Sequence, residues 1–463
     1  MDILIILLAL FFLMFVAYRG FSVILFAPVA ALLAVLLTQP DLVPVFFSGI
    51  FMEKTAGFIK LYFPVFLLGA IFGKLIEMSG SARAIALAIS NVIGRQRAMF
   101  AIVFVGAVLT YGGVSLFVVA FALYPFAVEL FRAANIPKRL IPGTIALGAF
   151  TFTMDALPGT PQIQNIIPTT FFQTDAWAAP VLGLCGSVVV FCAGMYYLEF
   201  RRKRALAAGE GYGAHSGDAV EQQAGGMPHP LMAILPLVLV GICNKVFTDL
   251  INRHYGAAFD FSTIGIHNVS PLEIPKYSAV WAVEAGLAIG IITVLVTSFG
   301  RIRHHFKSGI QLSIGGALLA TLNTASEYGF GSVIAALPGF TRIHKGLGNA
   351  ITDPLVNEAV TTTTLAGITG SASGGLSIAL ATMGDTYIEQ AAKAGISPEV
   401  LHRVASMASG GMDTLPHNGA VITLLAVTGL THRQSYIDIF AMTLIKTAAV
   451  FIVILLYYTT GII

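Results

Sequence analysis

The sequence predicts an all-α polytopic membrane protein: two inverted repeats, each with about five crossings, one re-entrant hairpin and one broken helix. Three observations lead there. Only 11% of the 463 residues are charged while 56% are apolar, and mean hydropathy is +0.84; a soluble chain carries about 25% charged residues. The apolar residues fall in runs long enough for about ten crossings at roughly 20 residues each. Finally, the chain resembles itself at an offset of 258 residues, as Asp155 stands to Asp413.

The repeat is carried by matches in one order. Met154-Asp155-Ala156-Leu157-Pro158-Gly159 aligns with Met412-Asp413-Thr414-Leu415-Pro416-His417. Upstream, Thr110 to Ser115 aligns with the equally glycine- and hydroxyl-rich Ile368 to Ser373, Gly73 with Gly331, and Arg83 nearly with Arg342. The first half, 1–199, reads as helices near 2–18, 21–38 and 58–78, each an apolar run with few charges. A short amphipathic helix near 81–94 follows. Next come the apolar segments 98–110 and 116–131, split at Tyr111 to Ser115 by glycines. A segment broken by prolines between Asp155 and Pro161 and a helix near 178–199 complete the half. After a polar linker, 200–228, the second half, 229–463, repeats the series near 229–250, 277–299, 309–337, 340–348, 352–391, 401–430 and 436–460.

Charge gives orientation. Arg201 to Arg204, then Arg301, Arg303 and Lys307, belong on the cytoplasmic side under the positive-inside rule. Arg83, Arg95, Arg97, Arg132, Lys138 and Arg139 join them, so both ends of the 98–131 pair lie inside and the pair is a re-entrant hairpin. Five crossings per half is an odd number, so the halves run oppositely and both termini face the periplasm of a bacterial inner membrane. The first helix lacks a basic leader region and an A-x-A site, and reads as retained. Cys185, Cys192 and Cys243 sit within apolar segments with no CxxC spacing, which argues against disulfide and zinc chemistry. No metal or cofactor is expected. The net charge of +3 comes with no basic domain, so no nucleic-acid partner is expected.

Broken backbone is tolerated at membrane depth only around a protein-lined or watery cavity. Four breaks qualify: the hairpin tips Thr110 to Ser115 and Thr369 to Gly375, and the interruptions Asp155 to Pro161 and Asp413 to Gly419. If they converge, half-helix N-termini near Gln162 and Ala420 offer free N–H groups and partial positive charge to an anion. Gly112 and Gly113 allow close backbone approach. Ser115, Thr160, Gln162, Asn165, Ser371, Ser373, His417 and Asn418 add donors for carboxylate and hydroxyl oxygens. Asp155 and Asp413 are the candidate proton-coupling pair, because burial favours a neutral carboxyl; the competing role is capping of the following half-helix. Glu327, with Asn323, Glu129, Glu284 and Lys74, is expected to pair locally or to snorkel. Asn357, Glu358 and Thr361 to Thr364 make one hairpin arm polar. That face either lines the pathway or packs between helices.

The break Asp155 to Pro161 and the run Gly410-Gly411-Met412-Asp413-Thr414-Leu415-Pro416-His417-Asn418-Gly419 resemble the gluconate permease (GntP) family of the ion transporter superfamily. The first break holds Asp155 and Gln162 where gluconate members tend to have histidine. The second is closer to the D-3-hydroxybutyrate permease branch. The resemblance implies a carboxylate–proton symporter and, from the wider superfamily, homodimers whose transport domain slides against a scaffold. Scaffold helices are then expected in 1–78 and 229–299, and transport elements in 98–199 and 309–463. The alternatives are sodium coupling at the same breaks and, remotely, an intramembrane aspartyl enzyme. The latter is disfavoured because Gly410-Gly411-Met412-Asp413 lacks the Gly-x-Gly-Asp order.

Overall fold

The computed structural model describes residues 2–19, 21–94, 97–114, 116–213, 227–340, 351–416 and 418–463. Nearly all their regular structure is helical. In chain order the main helices are α1 (Asp2–Tyr18), α2 (Val23–Thr38), α3 (Glu53–Met78), α4 (Ser81–Ile93), α5 (Ala98–Tyr111), α6 (Leu116–Ala133), α7 (Ile141–Ala149), α8 (Ile163–Phe172) and α9 (Pro180–Ala207). They continue as α10 (Pro230–Tyr255), α11 (Ser278–Ile302), α12 (Phe306–Ala336), α13 (Pro354–Thr369), α14 (Ala372–Ala394), α15 (Pro398–Gly410), α16 (Gly419–Thr428) and α17 (His432–Thr460). One two-residue antiparallel pairing, β1 (Ala258–Phe259) with β2 (Leu272–Glu273), ties the loop between α10 and α11. Among the described residues, five helical stretches are long and apolar enough to cross a membrane: Pro40–Met78 and the helices α9, α10, α11 and α17.

Two boundaries differ from the sequence reading. Residues 40–52, expected as a connection, are helical: a 3-10 turn Pro40–Leu42, a short helix Val43–Phe46 and a π segment Phe47–Met52 run directly into α3. Pro40 and Pro44 both stand in first turns, where no N–H is needed. The linker expected to start at residue 200 begins as helix, since α9 continues to Ala207. The Arg201 to Arg204 run suits a helix C-terminus, and Arg202 pairs with Glu199 one turn back at 2.5 Å. The helix expected near 340–348 lies outside the described residues.

The basic loops gather at one end. Arg201 and Arg139 both reach the buried Asp438, at 2.6 and 3.4 Å, and a Cβ on Gly80 would meet Pro228. At the other end, a cavity of about 510 Å³ is lined by Thr174, Asp175, Asn252, Ser278, Ser397 and Glu399. The large core joins α3 to α17. A second apolar cluster packs α1 and α2 against Phe330, Val333 and Ile334 of α12 and against Leu365, Ile378 and Ala379 of the α13–α14 hairpin. Along its other side α12 lies on α3: its Gly309 packs on Met78 and Lys74, and its Gly329 on Thr55 and Phe51. Gly309 makes room for the Met78 thioether, and Gly329 lets α12 come close to the backbone of the π segment at Phe51.

Candidate functional site

At the tip of the α5–α6 hairpin, Gly113 has φ +92°, a conformation glycine adopts without steric cost. A Cβ there would come within 3.1 Å of Leu287 and 3.3 Å of Pro161, so the tip rests on α11 and on the first helix break. Gln162 Nε2 donates to the Thr110 and Val114 carbonyls at 2.7 and 3.3 Å. The Tyr111 hydroxyl donates to the Pro158 carbonyl at 3.0 Å.

The first break is longer than its prolines alone suggest. α7 stops at Ala149, a single turn covers Phe152–Asp155, and non-helical chain with Gly159 at φ +79° leads to α8. Thr160 Oγ1 donates to the Thr153 carbonyl at 2.8 Å. Asn165 Nδ2 donates to the Thr160 and Ala176 carbonyls at 3.0 and 2.9 Å. Its Oδ1 accepts from Arg403 Nη1 at 3.0 Å and lies 3.1 Å from His402 Nε2. Thr160 and Asn165 thus hold the break open, with their polar groups committed to the protein itself. α10 braces it too, through Asn244 Nδ2 donating to the Gly159 carbonyl at 3.2 Å.

The second break meets the second hairpin. After α15, a 3-10 turn Gly411–Thr414 leads to α16, which Asn418 caps by accepting from the Ala420 amide at 2.7 Å. Asn418 Nδ2 donates to the Gly370 carbonyl at the tip of the α13–α14 hairpin, 2.9 Å, and to Asp413 Oδ1, 3.2 Å. Asp413 Oδ1 also accepts from the Ala372 amide, the first of α14, at 3.1 Å. Asp413 Oδ2 accepts from Gln164 Nε2, in the first turn of α8 just after the first break, at 2.8 Å. Ser371 caps α14 by accepting from the Gly374 amide at 3.1 Å, and Ser373 Oγ lies 3.4 Å from Thr324 of α12.

Asp155 is buried against α17, where Lys446 Nζ donates to its Oδ2; the side chains are 1% and 2% exposed. Its Oδ1 has no hydrogen-bond partner among the described residues. Gly410 leaves the room, since a Cβ there would overlap both Asp155 and Lys446. The backbone carbonyl of Asp155 accepts from Arg403 Nη1 at 2.8 Å and Ser406 Oγ at 2.9 Å. The Lys446 charge also acts on Asp413.

The structure therefore links the four breaks in sequence. The first tip contacts break one through Gln162, break one contacts break two through Gln164, and break two contacts the second tip through Asp413 and Asn418. Ser115 and His417 lie outside the described residues. Neither aspartate caps the half-helix after it: the N-cap positions are Gln162 and Asn418, and Asp413 instead accepts from the first amide of a neighbouring helix. Glu327 neither snorkels nor pairs with a nearby cation; it is 3% exposed. Sequence reasoning passed over Lys446, Gln164, His402 and Arg403. A lone lysine in the apolar run of α17 was a usable signal, because an ionisable residue at membrane depth marks function by default.

Apolar crossing helices enclosing a polar seam made from interrupted chain define a multi-pass membrane transporter, and the comparisons agree. The model of the GntP family permeases matches residues 1–337. Bacillus subtilis (strain 168) has a relative, "Uncharacterized transporter YxjC", that is 62% identical over 472 residues, with both chains fully covered. This chain belongs to the GntP permease family; it is a permease and not an enzyme. Among solved structures, the Alcanivorax borkumensis YdaH transporter is similar in fold, with a TM-score of 0.51 and 16% identity over 92% of this chain and 90% of that one. The Neisseria gonorrhoeae MtrF structure aligns at a TM-score of 0.48 with 13% identity, over 87% and 81%.

Proposed function

We propose that the protein imports a small hydroxy-carboxylate, of the size of 3-hydroxybutyrate or a gluconate-like sugar acid, by proton symport across a bacterial inner membrane. The observation that carries this reading is the set of donors around Asp413. The Ala372 amide, the Gln164 amide group and the Asn418 amide group all point at one carboxylate, and three such donors are what a carboxylate needs when water is removed. A proton on Asp413 releases them, and a substrate carboxylate takes them over. Proton and anion then bind together because each makes room for the other. Asp155, Asp413, Lys446 and the buried Arg403 sum to zero, so a proton on Asp413 leaves one positive charge, which the substrate carboxylate balances. Ser371, Ser373, His417 and the Gly112–Gly113 tip are the remaining candidates for contact with substrate.

Movement follows the elevator scheme of the resemblance, in a homodimer with both termini periplasmic. The mobile body is 98–199 with 351–463, and the scaffold is 1–78 with 229–337. This boundary departs from the sequence expectation at α12, which joins the scaffold because its contact with α3 runs along much of its length.

Uptake of labelled 3-hydroxybutyrate and gluconate into proteoliposomes tests the reading. Accumulation should follow an inward proton gradient and be indifferent to replacement of sodium by choline. Asp413→Asn, which mimics the protonated form, should keep substrate exchange but lose gradient-driven accumulation. Absence of uptake of either acid removes the substrate class, and sodium dependence without proton dependence replaces the coupling ion.

A further inference from the structure

Hairpin two seats on α12 through one face. Thr324 of α12 meets Ser373, Glu327 meets Gly374, and Gly331 meets Ile378. The spacing of 3 and 4 residues keeps 324, 327 and 331 on one side of a helix, and α14 runs parallel to it. In the middle of this face lies a buried carboxyl. Glu327 Oε2 is buried and has no hydrogen-bond partner among the described residues. It packs on Gly374, where a Cβ would overlap it. The Ser371 side chain, which caps α14 by accepting from the Gly374 amide at 3.1 Å, lies beside this carboxyl. An ionised carboxylate without water needs donors or a counter-charge, and the surroundings offer neither to Oε2.

The ionisable groups on the packed elements do not supply that charge. α2, the π segment Phe47–Met52 and the first three turns of α14 contain none. On α3, Glu53, Lys54 and Lys60 are exposed, and Thr55 faces α12 instead, donating to the Ala325 carbonyl at 3.3 Å. Tyr62 and Tyr328 face one another's surroundings around Phe58. Asp2 of α1 meets Gly339, beyond the C-terminus of α12 at Ala336, which is itself about 14 Å along the helix from Glu327. Glu358 stands near the opposite end of α13 from the tip. The ionisable neighbour whose charge bears on Glu327 is Asp413, which is of like sign.

We propose that Glu327 is a second proton-binding site, and that its proton is required for hairpin two to seat on α12. This rests on the transport reading above and extends it: Asp413 pairs proton with substrate, while Glu327 ties protonation to the position of the hairpin. When Glu327 ionises, its unpartnered oxygen draws water or repels the Asp413 side, and the tip leaves the scaffold.

The test needs no substrate. In protein with Cys185, Cys192 and Cys243 replaced, spin labels at Leu319→Cys of α12 and Ile388→Cys of α14, both exposed, report their separation by pulsed dipolar spectroscopy. The unmodified Glu327 background should show one short distance at low pH and a growing longer component as pH rises. Glu327→Gln should hold the short distance at every pH, and Glu327→Asp should keep a pH-dependent change. Gly374→Ala, whose methyl overlaps the carboxyl, should favour the longer distance throughout. A pH response that persists in Glu327→Gln overturns the proposal, as does a distance that never changes with pH or that changes with sodium instead. In proteoliposomes Glu327→Gln should slow substrate exchange and net uptake alike at every pH, because a hairpin that stays seated does not part from α12. Failure of the transport reading would appear separately, as absent uptake by the wild-type chain.

Discussion

The energetics of the site turn on the Asp155–Lys446 pair. Both charges are out of water, and removing one partner of such a pair costs about 3–5 kcal/mol because the other is left uncompensated. Replacing both by apolar side chains of similar volume is often neutral or stabilising. Lys446→Met should therefore lower the thermal unfolding midpoint in detergent sharply, whereas Asp155→Leu with Lys446→Met should recover most of it. Transport should stay absent in both. Recovery of stability without transport would show that the pair is kept for function. A single Lys446→Met that unfolds like the wild type would show that the pair contributes little. Gly113 offers a second residue-scale check. Its φ of +92° and the nearby Leu287 and Pro161 mean that Gly113→Ala meets both backbone strain of order 1–3 kcal/mol and a crowded methyl. It should destabilise the protein, while Gly209→Ala, also at positive φ but with open space around its Cβ, should cost less.

Among elements, what the sequence revealed and what it hid divide along physical lines. Hairpin tips and helix breaks were legible because glycine, proline and hydroxyl residues interrupt apolar runs, and no lipid-facing helix tolerates that. The helical run from residue 40 was hidden, because proline in a first turn is indistinguishable by type from proline that ends a helix. The partner of Asp155 was hidden for another reason: Lys446 is 291 residues away, and only the packing of α17 across the first break brings them together. The fork between Arg139 and Glu210, at 2.7 and 2.8 Å, was invisible likewise. It pins the chain after α9 to the start of α7, helped by the Tyr212 amide donating to Asn135 Oδ1 at 3.0 Å. The Arg139 guanidinium holds the Glu210 carboxyl below the usual carboxylate range. A lowered carboxyl stabilises the folded arrangement above its unfolded value, near pH 4.3, and loses that contribution as pH falls through the lower folded value. The pair is partly exposed, so the effect belongs in the ~0.2–1 kcal/mol range. Protection of the Tyr212 amide from hydrogen exchange, corrected for the intrinsic rate, should fall below about pH 4. Glu210→Gln should show that reduced protection already at neutral pH. Equal protection in both proteins at neutral pH would mean that Asn135 alone holds the segment.

For the molecule as a whole, the question is which surfaces slide. Two helices flank α12 in different ways. Toward α3 the contact runs from Gly309 beside Met78 to Gly329 beside Thr55, and the Thr55 hydroxyl donates to the Ala325 carbonyl at 3.3 Å. Toward hairpin two the face is shorter and holds Thr324, Ser373 and a carboxyl without a full set of partners. A surface that must part and re-form should resemble the second, because close-packed interfaces are costly to separate. Paired cysteines turn this contrast into a measurement. In protein freed of its three native cysteines, Lys74→Cys with Gly309→Cys joins α3 to α12; a Cβ at 309 lies 3.7 Å from Lys74 Cγ, and the Met78 thioether beside it is a flexible side-chain end. Thr324→Cys with Ser373→Cys joins α12 to hairpin two across hydroxyls 3.4 Å apart. Oxidation of the first pair should leave uptake intact. Oxidation of the second should stop it, and a reductant should restore it. If the first pair blocks and the second does not, α12 travels with the hairpin, the scaffold ends before residue 306, and Glu327 lies inside one rigid body where its proton has no contact to open.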